Sequence, residues 1–271
     1  MERCKLGAMK IHVLVENTSN CAGLVPEHGL SLLIEACGRR ILFDMGASEA
    51  FAANAERMGL DLGTVDVAVL SHGHYDHGGG LLHFLELNTH ATVWVSPHAF
   101  EPHFNASGKN IGLQPELSGH PRLRLVTTGE VNLAPGITLH GAADIPTPYP
   151  AEGSGMTAIV GGKRLADDFR HEQYLLIEEA GQRVLFSGCS HLGILNIATH
   201  FRPDALVGGF HYMKALPHID TPRLQQAAAI LKDQPTRYYT GHCTGDVAYG
   251  ILKPLLGERL QVFHTGQSFE L

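Results

Sequence analysis

The feature that most restricts how this chain can fold is an internal repeat. Residues 32 to 43 (LLIEACGRRILF) and 175 to 186 (LLIEEAGQRVLF) are identical at eight of twelve positions. Each copy reads as an apolar strand, a turn centred on Gly38 or Gly181, and a second apolar strand, the order that makes a β-hairpin. Beyond each hairpin lies a further apolar run, VDVAVL at 65 to 70 and DALVGGF at 204 to 210, at nearly the same offset. Two related halves facing one another across a shared groove are therefore expected.

What surrounds the hairpins sets the fold class. Short β-rich runs such as KIHVLVE, ATVWVSP and RYYTGHCTG alternate irregularly with helical stretches at 48 to 59 and 222 to 233, rich in Ala, Leu and Glu. That mixture predicts an α/β protein in which sheet layers are covered by helices. With 271 residues and 44% hydrophobic composition, the whole span 1–271 is read as one domain with a sizeable core. Two long segments containing Pro and Gly, 97 to 122 and 141 to 168, interrupt the pattern and are read as lids or binding loops. In the first of them His98, Phe100, His103 and Phe104 are candidates to wall a pocket.

Charge and cysteine usage exclude several function classes. A net charge of -7, with no block of Lys and Arg, gives no field that could track a phosphate backbone, so no nucleic-acid partner is expected. The N-terminal apolar run is short and interrupted by His12, so no membrane span or signal core is expected. Met9 is an alternative start, which would make the preceding eight residues an extension. Five cysteines (Cys4, Cys21, Cys37, Cys189, Cys243), widely spaced and without CxxC, argue against a disulfide framework or zinc ribbon and fit a reducing cytoplasm.

The chemistry is concentrated in VAVLSHGHYDHGGGL at 67 to 81. His72, His74, Asp76 and His77 follow a strand directly and are followed by three glycines. Imidazole and carboxylate together suit zinc and other first-row divalent ions, and a tight glycine-punctuated loop can aim all four side chains at one centre. Four ligand-type residues within six positions are far more specific than a lone HxH. Isolated histidines elsewhere, such as His12, His83, His90, His120, His140, His200, His218 and His264, have no companion motif and read as surface or satisfied core residues.

SHGHYDHGGG resembles the HxHxDH signature of the metallo-β-lactamase superfamily, and the resemblance implies a four-layer αβ/βα sandwich with a dinuclear metal groove. Further segments, EHGLSLLIE, ILFDMG, DDFRHEQYLLI, GCSHLGILN, GGFHY and GHCTG, resemble one subfamily of metal-dependent hydrolases. It includes relatives of an archaeal dihydropterin ribofuranosyl-aminobenzene phosphate synthase. The similarity runs from about residue 11 to 269. It implies that His72 and His74 serve one metal, that Asp76 and His77 serve a second, and that His242 is the last metal histidine. Where the superfamily has a bridging Asp after the second hairpin, this chain has Cys189-Ser190-His191. Imidazole matches the ions favoured by the first loop, so His191 is assigned to the metal of His72 and His74, with Cys189 close by.

Other residues near these motifs are assigned more loosely. His211 is read as a ligand, a proton donor or a substrate contact. Asp44 is read as orienting a metal histidine, with a simple turn role as the alternative. Cys243 is read as a small buried thiol. At His171 and Asp168 the subfamily pattern favours an acidic residue, and His171 is not counted among the ligands.

The expected function is metal-dependent hydrolysis of a small molecule, phosphorylated or ester-like, by a water activated between two divalent ions. Zinc is the expected metal, with manganese or iron as alternatives. Asp76 and His211 are the expected catalytic residues. Three rivals remain: a transferase condensing a dihydropterin diphosphate with an aminobenzene acceptor, an iron-binding redox or sensor protein, and a non-catalytic ligand-binding protein that keeps metals for structure. Oligomeric state is open.

Overall fold

The computed structural model describes residues 8–127 and 129–271; Cys4 and the rest of the possible N-terminal extension ahead of Ala8 lie outside them. Two seven-stranded sheets dominate the architecture. The first contains, in spatial order, Ser268–Glu270, Lys10–Val15, Ser31–Ala36, Arg39–Phe43, Val67–Val69, Thr92–Val95 and Leu123–Leu125. The second contains Glu130–Ala134, Ile137–Gly141, Gln173–Glu179, Gln182–Phe186, Ala205–Val207, Arg237–Thr240 and Leu260–Val262. Read in these orders, both sheets make three antiparallel pairings and then three parallel ones.

The sequence repeat is thus a repeat of topology, and it extends to register. Leu32 pairs with Phe43 and Leu175 with Phe186 at the open ends of the two hairpins. At the closed ends Cys37 and Gly38, and again Ala180 and Gly181, all have positive φ. Two consecutive positive-φ residues make the turn whose twist matches the flanking strands, which is why a glycine recurs there.

Alternation along the hairpins distributes side chains between layers. Leu32, Ile34, Ile41 and Phe43 join Leu175, Ile177, Val184 and Phe186 in a core between the sheets. The intervening Leu33 and Leu42 face a core under the helices Ala50–Arg57 and Leu81–Leu87. Leu176 and Leu185 do the same under Ile194–Phe201, Pro217–Lys232 and Asp246–Leu256. The order helices, sheet, sheet, helices is the expected αβ/βα sandwich, and strands buried on both faces explain the nearly continuous apolar runs. At its centre the repeat-equivalent Phe43 and Phe186 touch, with ring centroids 5.8 Å apart.

Two local expectations change. The segments read as loops carry a third sheet of His103–Phe104, Thr157–Val160 and Lys163–Ala166. Strands this short, one of them exposed throughout, leave no usable apolar alternation. The helix expected at 222 to 233 spans Pro217–Lys232. Proline suits the first helical turn, and Asp220 accepts the Leu216 N–H at 2.8 Å, so the helix begins before its apolar pattern does.

Candidate metal centre

Loops from both halves meet beyond the C-terminal ends of the parallel strands, the usual place for a site in such sheets. The HxHxDH loop leaves the strand Val67–Val69 and closes in the short helix Tyr75–Gly78. Its glycines permit close backbone approach: a Cβ on Gly73 would lie 2.2 Å from the Ala99 carbonyl oxygen, and one on Gly79 would lie 2.2 Å from that of Ala47. Across the groove, His211 and His242 follow the strands Ala205–Val207 and Arg237–Thr240. Asp44, Ser190, His211 and His242 all hold positive φ, strained for residues with a Cβ and typical of positions fixed for function.

The six ligands expected from the sequence converge in two groups. Donor atoms of His72, His74 and His191 lie within 4.8 Å of one another, as do those of Asp76, His77, Cys189 and His242. His72 Nε2 is 3.1 Å from His74 Nδ1. His77 Nε2 is 3.1 Å from both His242 Nε2 and Cys189 Sγ, while Asp76 Oδ2 is 3.3 Å from His242 Nε2. Cys189 therefore belongs with the second group and His191 with the first.

Hydrogen bonds fix where the ring protons sit. His77 Nδ1–H donates to Asp44 Oδ2 at 2.6 Å, and His242 Nδ1–H donates to Asn17 Oδ1 at 2.9 Å. Each ring's Nε2 then carries a bare lone pair. On the other side the Ser71 hydroxyl donates to Asp44 Oδ2 at 2.7 Å and accepts from His72 Nδ1 at 2.9 Å, leaving His72 Nε2 bare as well. Both nitrogens of His191 and Nε2 of His74 are buried without any hydrogen-bond partner.

Electrostatics reinforce this for the first group, whereas at His77 burial is outweighed by Asp44 and Asp76, which hold it above the ordinary imidazole value. Burial, followed by the neighbouring histidines, holds His72 and His191 well below the ordinary imidazole value, and burial followed by His171 does the same for His74. Asp76 stays ionised because His77 and His242 outweigh its burial. His211, pushed down to about 4 by burial and then by His242, lies tilted against His191 with centroids 4.1 Å apart. The turn that presents His191 is anchored by Glu172, which accepts the N–H groups of His191 and Leu192 at 2.6 and 2.9 Å. Phe169 stacks on the His191 ring at 4.9 Å.

Several contributors had no separate signal in the sequence. Glu16 accepts the His242 N–H at 2.7 Å, and His28 Nε2 lies 3.4 Å from Asp76 Oδ2. Asp167, not Asp168, faces the site: its Oδ2 is 2.8 Å from His103 Nδ1, while Asp168 is exposed. His103 stands in the sequence reading as a pocket-wall candidate, while His28 and Asp167 lie in segments that carry the family resemblance but have no separate assignment there. A cleft of about 200 Å³ reaches the groove past His28, Ile111, Met156, His211 and Lys214. No helix among the described residues is long and apolar enough to cross a membrane.

Comparison with known proteins bears on the family and the fold. Residues 24–164 match the family described as the Metallo-beta-lactamase superfamily. The chain is 27% identical to the 7,8-dihydropterin-6-methyl-4-(beta-D-ribofuranosyl)-aminobenzene-5'-phosphate synthase of Methanocaldococcus jannaschii, over 97% of both proteins. It is also similar in structure to Tm1679, a metal-dependent hydrolase of the beta-lactamase superfamily, with a TM-score of 0.84, 27% identity, and coverage of 97% of this chain and 99% of that one. Zn(2+)-bound PqqB from Methylobacterium extorquens shares the fold, with a TM-score of 0.61 and 16% identity over 97% of this chain and 100% of that one.

Proposed function

The chain belongs to the metallo-beta-lactamase superfamily, and from that premise we propose that it is a metal-dependent hydrolase with a dinuclear centre acting on a small phosphorylated or ester-like molecule. One observation carries the reading. The Nε2 atoms of His77 and His242, both bare when the rings are neutral, face each other at 3.1 Å beside the Asp76 carboxylate, and a single thiol proton on Cys189 cannot satisfy all of them. Lone pairs and negative charge packed this closely away from water are costly unless a cation lies among them. The donors fit: imidazole, carboxylate and thiolate suit zinc, and iron or manganese are the alternatives.

His72, His74 and His191 would hold one ion, and Asp76, His77, His242 and Cys189 the other. Two such ions supply Lewis acidity and bring the pKa of water down to about 7. Around them the chain does the rest. His211, neutral at pH 7, takes or returns a proton at the groove wall. Lys214 at the rim offers a cation to an anionic part of the substrate, while Ile111 and Met156 exclude water from its apolar part.

The test is metal analysis of protein purified without added metal, followed by turnover assays on phosphoester, carboxyl-ester, lactone and thioester substrates before and after chelation. Two ions per chain and turnover that chelation abolishes and zinc restores are expected. Full turnover by metal-free protein would overturn the reading. A second reading, transfer of a dihydropterin from its diphosphate to an aminobenzene acceptor, is favoured by the end-to-end similarity to the synthase. Product mass after incubation with those two substrates separates condensation from hydrolysis.

A further inference from the structure

A third cluster adjoins the centre. One donor atom from each of His74, His103, Asp167 and His171 lies within 4.8 Å of the others, and by distance alone this is another metal group. Proton placement decides otherwise for His171. The Gly73 N–H donates to His171 Nδ1 at 3.0 Å, so that nitrogen's lone pair is occupied and the ring proton sits on Nε2. That Nε2–H faces Asp167 Oδ1 at 3.5 Å. Nε2 is buried and makes no hydrogen bond of its own, yet a neutral imidazole whose Nδ1 lone pair is held by the Gly73 amide carries its proton on Nε2 and has no lone pair left for a cation.

The rest of the cluster holds this arrangement in place. His103 Nδ1–H donates to Asp167 Oδ2 at 2.8 Å, and His103 Nε2 lies 3.3 Å from the His98 carbonyl. The His103 and His171 rings lie against each other, tilted by 35°, with centroids 4.0 Å apart, and His171 is fully buried. Gly73 is the residue between His72 and His74, so its amide sets the backbone that aims both rings.

We propose that His171 is a positioning residue and not a metal ligand: it clamps the Gly73 amide between two ligand histidines, and that amide sets its tautomer, with the Asp167 carboxylate lying behind Nε2. This rests on the reading that His72 and His74 hold an ion. It also explains why the third nitrogen of that group comes from His191, on the far side of the second hairpin, when His171 stands nearer in sequence to the hairpin's start.

The experiment measures zinc stoichiometry and affinity by chelator competition for the wild type, His171→Asn, His171→Leu and His191→Ala, with cobalt(II) spectra of each. Asparagine places an acceptor oxygen where Nδ1 stood. His171→Asn is therefore expected to bind two ions with an unchanged cobalt spectrum and near wild-type affinity. His171→Leu is expected to bind two ions only at higher zinc, with affinity at one of them weakened about 10–100-fold. His191→Ala is expected to retain one. Loss of an ion from His171→Asn at saturating zinc, with a cobalt spectrum of lower coordination, would make His171 a ligand and overturn the proposal; this result stands even where His171→Leu does not fold. A wild type that binds no zinc or cobalt would overturn the metal reading and the proposal together, whereas the asparagine result overturns the proposal alone.

Discussion

Asp44 Oδ2 lies 2.6 Å from Nδ1 of His77, and both side chains are fully buried. The carboxylate fixes the His77 tautomer and, through the Ser71 hydroxyl, that of His72 as well, so one acid governs a histidine in each donor group. Asp44→Asn keeps the volume, and asparagine tolerates the positive φ found here, so the fold should survive. Metal affinity should fall about 10–100-fold, read by chelator competition. An unchanged affinity would reduce the pair to packing.

The grouping of donors separates two neighbouring residues of opposite expected effect. His191→Ala should lower bound metal from two ions toward one, because His72 and His74 alone do not close a shell. Cys189→Ser should retain both ions at saturation, since Asp76, His77 and His242 remain, and should weaken the second. Elemental analysis after gel filtration checks both. If the serine variant loses an ion and the alanine variant does not, the assignments are reversed.

Acid should destabilise the metal-free protein. His72, His74, His191 and His211 are all lowered from the ordinary 6.5, chiefly by burial, so the unfolded chain binds their protons first. Their stabilisation is present above pH 6.5 and is lost as pH falls toward the folded values, which for His211 is about 4. His77 acts in the opposite sense: burial pulls it down, but Asp44 and Asp76 outweigh burial and its net shift is upward, so its contribution fades as pH rises above 6.5. Glu172, whose carboxyl burial pushes up to about 7, acts in the same sense as His77, so four groups oppose two, and the melting temperature of chelated protein should drop between pH 6.5 and 4. Equal melting temperatures at those two values would contradict the burial argument.

Gly73→Ala tests the close packing of the ligand loop. Its Cβ would meet the Ala99 carbonyl oxygen at 2.2 Å, a backbone atom that cannot rotate away. A cost of about 1–3 kcal/mol and a fall of several degrees in melting temperature are expected by scanning calorimetry. A melting temperature matching the wild type would mean that the loop relaxes freely.

The hairpin repeat and the HxHxDH loop were legible because both are written in contiguous residues. Alternation of Leu, Ile and Phe around a positive-φ turn dictates a strand pair, its register and the layer each side chain enters, and two copies dictate two halves. Four donors within six positions likewise need only one strand end to converge. The family resemblance extended this reach to His191 and His242, which sequence spacing alone would not have joined to the loop.

Tertiary structure decided the remainder. His242 reaches His77 from 165 positions away only because the two sheets stack around Phe43 and Phe186. Which group receives Cys189, which acid faces His171, and the parts played by Glu16, Asn17 and His103 all depend on side chains from separate loops. A hydrogen bond between distant loops imposes no period and no spacing on the chain, so nothing in the order of residues records it; it exists only once the sheets have packed and burial has made each unpaired nitrogen costly.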